Sequence, residues 1–303
     1  MKARAIGFLA IVLMGAGCLY YSQRRTTSPP VSANALVNML ADAQHDISRV
    51  PARIMRLSDA DEIRIGDKLA SVYLSGKGAS TPEDLAFQNY VQAVGGKLAL
   101  KALRPLPYKF HVIADPNLIN SFALPGGHIF IGRGMLNIMK TEDELAAVLG
   151  HEIEHVELRH CAERVQITAR LQKLPLGGLE ELAQIPVAVW QMGYSKDQEF
   201  EADRMGTMLA VSGGYSPYGA VKLFEQMQSL QKEYVIHAST PEQEAAEVAI
   251  QGLAGYFQSH PQPSERLEAI NRLIEQQGWQ DRKEKEQKPF HVEYQQASTK
   301  STP

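Results

Sequence analysis

Thr141 to Cys161, TEDELAAVLGHEIEHVELRHC, is the stretch on which the reading of this chain turns. Thr141 followed by Glu144 is a capping box, so a helix is expected to start there and to run through Cys161. Leu145, Val148, Leu149, Ile153 and Val156 recur at helical spacing and supply an apolar side. His151 and His155 then stand one turn apart on one face, where two imidazoles can share a Zn²⁺, with Glu152 beside them to hold a water. The same five residues would also suit two hydrogen-bonded helix histidines and a solvated carboxylate. A third ligand decides between these readings.

That ligand is expected at Glu199, 44 positions after His155. Ser195 and Gln198 form another capping box, opening the helix SKDQEFEADRMGTMLAVSGG that ends at Gly213 and Gly214. Asp203 follows Glu199 by one turn and shares its face, which suits it to accept the spare N–H of a ligating histidine. Glu201 points elsewhere. An acidic helix start favoured by the dipole is the plainer alternative, and the upstream histidine pair argues against it.

The rest of the composition narrows the classes. With 303 residues, 44% apolar content and a net charge of -3, the chain is an ordinary globular protein with no footprint for a nucleic-acid partner. Lys2 and Arg4 precede an uncharged run from Ala5 to Tyr21, and Gly15-Ala16-Gly17 places small residues before Cys18. Residues 1–21 therefore read as a signal peptide, a lipoprotein signal with Cys18 as the anchored residue, or an uncleaved anchor. All three imply export. Residues 22–32 read as a linker, 33–280 as the folded domain and 281–303 as a disordered tail. Cys161, the other of two cysteines, is expected to be a buried structural thiol and no disulfide framework follows.

Helical pattern recurs from Ser58 and from Thr81-Pro82-Glu83-Asp84, a strong start with Pro at the first helical position. Strands are expected over 107–113 and His128–Gly132, with Leu124-Pro125-Gly126-Gly127 as a turn. His128, Ile129, Phe130 and Ile131 are expected to form an edge strand beside the metal helix, able to pair with an extended peptide. The plainer reading is a hairpin packed on that helix. Lone His111 and His128 read as strand residues. Val165 to Gly193 reads as helices and loops over the site, and His160 as a residue answering a helix C-terminus.

Asn120–Gly127 (NSFALPGG), Glu144–His155 (ELAAVLGHEIEH) and Glu199–Asp203 (EFEAD) resemble the ordered signatures of the family forty-eight zinc metallopeptidases. The resemblance runs from about Asp61 to about Leu273 and is nearest to the Oma-type and BepA-type branch, without a repeat domain. It implies an α+β, mostly helical zincin-type domain with a small sheet. It also implies one Zn²⁺ held by His151, His155 and Glu199, with Glu152 as general base toward a zinc-activated water. His260 is then either a reversible fourth ligand that keeps the enzyme latent or a loop histidine capping the next helix. Arg266 either stabilises an oxyanion or pairs with Asp203 or a nearby Glu. The function so implied is a metalloendopeptidase acting on misfolded or unassembled envelope proteins, in a bacterial periplasm and tethered through the N-terminus. The alternative is a zinc-stabilised, chaperone-like binding protein with latent or absent peptidase activity.

Overall fold

The computed structural model describes residues 57–75, 81–171, 193–236, 256, 260 and 263–284. The export segment, the linker, most of the proposed cover over the site and nearly all of the tail lie outside the described residues. Helix α1 (Asp59–Leu74) is capped by Ser58 and α2 (Pro82–Ala99) by Thr81, each through a complete capping box with the residue three positions on. Three short strands follow, β1 (Lys109–Ile113), β2 (Ser121–Leu124) and β3 (His128–Gly132). Then come α3 (Arg133–Ile138), α4 (Glu142–Glu157), α5 (His160–Leu171), α6 (Lys196–Ser212), α7 (Gly219–Ile236) and α8 (Pro263–Gln276). The result is a mostly helical α+β domain around a small mixed sheet. No helix among the described residues is long and apolar enough to cross a membrane.

The sheet order is β1-β3-β2, with β1 parallel and β2 antiparallel to β3. This corrects the expected edge strand. His128, Ile129, Phe130 and Ile131 lie in the central strand and are buried, with both backbone edges already paired. Nor do the first and last strands form a hairpin, because β2 intervenes and turns back onto β3. The turn rests on glycine: Gly126 has φ +77°, and a Cβ there would stand 2.5 Å from Ile63 Cα.

Alternation along the strands divides two cores. Phe110, Val112, Ala123, Ile129 and Ile131 face the core shared with α2, α4 and α7. Ile113, Phe122, Leu124 and Phe130 pack with Ile65, Leu69 and Tyr73 of α1. The edge strand against α4 is therefore β2, and its Ser121 and Ala123 share the α4 face.

Helix α4 is also shorter than its sequence suggests. Thr141 Oγ1 accepts from Glu144 N at 3.3 Å, but the Glu144 carboxylate accepts instead from Lys140 N at 2.8 Å and Gln226 Nε2 at 3.0 Å. The helix ends at Glu157, Arg159 turns the chain with φ +64°, and His160 opens α5. No glycine or proline marks this corner. What holds it is Arg159 pairing with the fully buried Glu62 and, at 2.5 Å, with Asp59 of α1. Arg104 joins the same carboxylates at 3.0 and 2.8 Å. His160 and Cys161 accordingly belong to the first turn of α5, not to a helix C-terminus.

His111 and His128 are strand residues, as expected, and they form a stacked pair. His111 Nε2 lies 2.9 Å from His128 Nδ1, whose ring is tied to Asp67 of α1 at 2.8 Å. Burial, reinforced by His128 and Lys109, pushes the His111 imidazole down to about 4. In the unfolded chain it titrates at about 6.5, so between those values the unfolded state binds more protons. Stability from this site is complete above about pH 6.5 and is lost as pH falls toward about 4, by about 3 kcal/mol. Urea denaturation across that window should show the loss, and His111→Gln should flatten it. An unchanged pH slope in that variant would refute the assignment.

Candidate metal centre

Helices α4 and α6 cross with almost no side chain between their backbones. A Cβ on Gly150 would come within 2.7 Å of Gly206 O, and one on Gly206 within 2.6 Å of His151 N. This close crossing brings Glu199 of α6 onto the histidine face of α4. His151 Nε2 and His155 Nε2 are 3.0 Å apart, and each lies 3.6 Å from a Glu199 carboxylate oxygen. All three residues are buried.

The donor set fits zinc. Ligand atoms about 2.0–2.2 Å from one tetrahedral ion lie roughly 3.3–3.6 Å from each other; Glu199 meets this spacing through Oε2 to His151 and Oε1 to His155, both at 3.6 Å, while the two imidazole nitrogens stand closer, at 3.0 Å. Glu199 Oε1 is buried with no hydrogen-bond partner among the described residues, an arrangement costly for a carboxylate unless a cation meets it. His155 would be held neutral: burial first, then the neighbouring His151, His160 and His260, push its pKa well below the usual value. Burial works to raise Glu199, yet His260, His151 and Arg266 outweigh it and keep the carboxyl below its ordinary range.

Each predicted ligand is oriented from behind. His151 Nδ1 lies 3.0 Å from Asp203 Oδ1, which leaves Nε2 to the site. Asp203 in turn receives Arg266 Nε at 2.7 Å and Nη2 at 2.5 Å. Burial alone would raise Asp203, but Arg266 and His151 hold it well below the carboxylate range. Arg266 also donates to Tyr256 Oη at 3.0 Å and covers the Phe224 ring at 4.5 Å. Its guanidinium thus lies on the Nδ1 side of His151, paired with Asp203, and not on the side where a substrate carbonyl would meet the ligand nitrogens. His155 Nδ1 meets His160 Nδ1 at 2.9 Å, and its ring stacks on Tyr194 at 4.0 Å.

Glu152 projects from the same helix turn as His151, with Oε1 accepting from Ser121 Oγ at 2.7 Å and Oε2 unpartnered among the described residues. Burial raises its pKa against the opposing charges of His151 and His260 and the Ser121 bond. That makes a stronger base than a solvated glutamate. His260 Nδ1 reaches Glu199 Oε2 at 2.7 Å, and His151, Glu199 and His260 form a buried donor cluster of their own. Cys161 is buried, with Sγ 3.3 Å from Tyr194 Oη, and burial pushes its thiol up to about 12, as suits a structural residue.

Ser121, His160, Tyr194 and Tyr256 are the site residues that motif spacing missed. Only Ser121 lies in a quoted signature, and the strand it begins, β2, is not among the two strands expected from sequence. The edge-strand residues of the sequence reading are not among those brought to the site.

Comparison with known proteins agrees with this geometry. The model of peptidase family M48 matches residues 86–274. The mitochondrial metalloendopeptidase OMA1 of Schizosaccharomyces pombe is 30% identical over 184 residues, 58% of this chain and 50% of that protein. The beta-barrel assembly-enhancing protease of Yersinia pestis is 28% identical over 265 residues, 80% of this chain and 50% of that one. Metalloprotease LoiP of Escherichia coli is 25% identical over 214 residues, covering 67% of this chain and 80% of its own. The chain spans half the length of the first two relatives.

Proposed function

The chain belongs to peptidase family M48, and we propose that it works as a zinc-dependent endopeptidase on polypeptide chains. The observation that carries this reading is the convergence of His151, His155 and Glu199 within 3.6 Å, beside a buried Glu152 with one oxygen unpartnered among the described residues.

In that reading His151, His155 and Glu199 hold the ion, while Asp203 and Arg266 fix the first imidazole and His160 the second. Zinc, when bound, acts as a Lewis acid toward the scissile carbonyl and makes water a nucleophile near neutral pH. Glu152 takes the attacking water's proton on Oε2 and passes it to the leaving amine.

Unfolded or unassembled envelope proteins are the proposed substrates and the periplasm the proposed compartment, tethered through residues 1–21. The run from Ala5 to Tyr21 and Cys18 support the compartment. The contact of His260 Nδ1 with Glu199 Oε2 supports reading His260 as a latch on a resting site.

Zinc content and casein cleavage on the full chain test the proposal, with and without chelator and with His260→Ala alongside. Zinc near one per chain, chelator-sensitive cleavage and faster cleavage by His260→Ala are the expected results. Zinc without cleavage in either protein would favour the chaperone-like binding reading instead, for which the His260 contact on Glu199 is the supporting observation.

A further inference from the structure

We propose that Ser121 is a positioning residue for Glu152: its hydroxyl pins one carboxylate oxygen and leaves the other as the base. The inference rests on the peptidase reading of the site. Ser121 Oγ donates to Glu152 Oε1 at 2.7 Å, across 31 residues of sequence, and the two side chains are among the most completely buried polar groups of the domain. Oε2 of the same carboxylate has no partner among the described residues. The hydroxyl therefore makes two chemically equal oxygens unequal.

This matters because the terminal torsion of a glutamate is broad and roughly two-fold, so packing around the carbon chain does not by itself set the carboxylate plane. A donor on one oxygen does. Proton abstraction depends on the base lying within hydrogen-bond reach of the proton it takes, and a misplacement of about 1 Å can cost on the order of 10²-fold in rate. The bond to Oε1 can persist through the cycle. Glu152 accepts the proton on Oε2 and releases it from Oε2, and Ser121 remains the donor throughout.

The backbone that carries the hydroxyl is itself fixed. Ser121 is opposite Ile131 in the antiparallel ladder, its N–H donates to Asn120 Oδ1 at 2.9 Å, and Asn120 O accepts from Gly132 N at 2.9 Å. Strand alternation turns Phe122 and Leu124 toward α1 and leaves Ser121 and Ala123 facing α4 and α5, where Ala123 O receives the Cys161 thiol at 3.5 Å. An alanine at 121 would fill nearly the same space. What the serine adds is a donor, in a place where a hydroxyl without a partner would be costly.

The test compares the zinc-loaded full chain with its Ser121→Ala, Ser121→Thr and Glu152→Gln variants. Ser121→Ala should lower kcat by roughly 10- to 100-fold with KM within about twofold and zinc content unchanged, and Ser121→Thr should restore most of the loss. Infrared difference spectra of the zinc-free chain give a readout that needs no turnover. Ser121→Ala should shift one carboxyl stretching band, and that shift should vanish when both chains also carry Glu152→Gln. Wild-type kcat in Ser121→Ala, or no band shift attributable to Glu152, would overturn the proposal. Should Ser121→Ala not fold, Ser121→Cys, with its weaker donor, takes its place under the same criteria. Absence of cleavage by the wild-type chain would instead refute the peptidase reading, and the infrared comparison would still judge the hydrogen bond.

Discussion

Glu152→Gln should abolish peptide cleavage, by on the order of 10³-fold or more, while zinc content stays near that of the unaltered chain. The side chain is 1% exposed and takes part in none of the three donor contacts, so its replacement leaves the ligand set intact. Gln keeps the shape and can still accept from Ser121, so the fold should survive. What it lacks is a basic oxygen. Burial holds the native carboxyl above its usual pKa, which is the direction a base needs. His151→Ala is the control with the opposite signature, since it should lose zinc and cleavage together. Cleavage at the wild-type rate by Glu152→Gln, measured on casein with zinc analysed in parallel, would mean that another group is the base.

Arg266→Met should have the largest effect on the folded domain itself. Arg266 is 2% exposed and makes two hydrogen bonds to Asp203, which is 5% exposed. Removing one partner of such a pair strands the other charge, at a cost of roughly 3–5 kcal/mol. Asp203 also orients His151, so zinc affinity should fall by about 10- to 100-fold. The double variant Asp203→Asn/Arg266→Met separates these effects. Taking out both charges should recover most of the stability, because no buried ion is left alone, but not the affinity, because His151 still lacks its carboxylate. Chemical denaturation and competition for zinc with a chromophoric chelator measure the two quantities. A double variant as unstable as Arg266→Met would show that Arg266 acts through its packing on Phe224 and Tyr256.

The close crossing of α4 and α6 sets a limit on how much of this could be read from the chain. Gly150 and Gly206 look unremarkable within their helices, where glycine costs about 1 kcal/mol against alanine. Only the crossing explains them, since either Cβ would meet the opposite backbone below 3 Å.

What the sequence determined by itself is local. The spacing of His151, Glu152 and His155, the caps at Ser58, Thr81 and Ser195, and the pairing of Glu199 with Asp203 on one helix face follow from a periodicity of 3.6 residues and from side chains bonding backbone a few positions away. Those rules act within a turn or two, so the candidate ligands were legible before any fold was known. Three features escaped them: the order of the strands, the corner at Arg159 and the donor at Ser121. β3 became central because β1 and β2 pair with it from opposite sides. Helix α4 stopped at Glu157 because Glu62, nearly a hundred residues earlier, holds Arg159. Ser121 reached Glu152 because β2 lies along α4. Each depends on partners distant in sequence, whose meeting is decided by how the sheet and helices pack and not by any residue's own propensity.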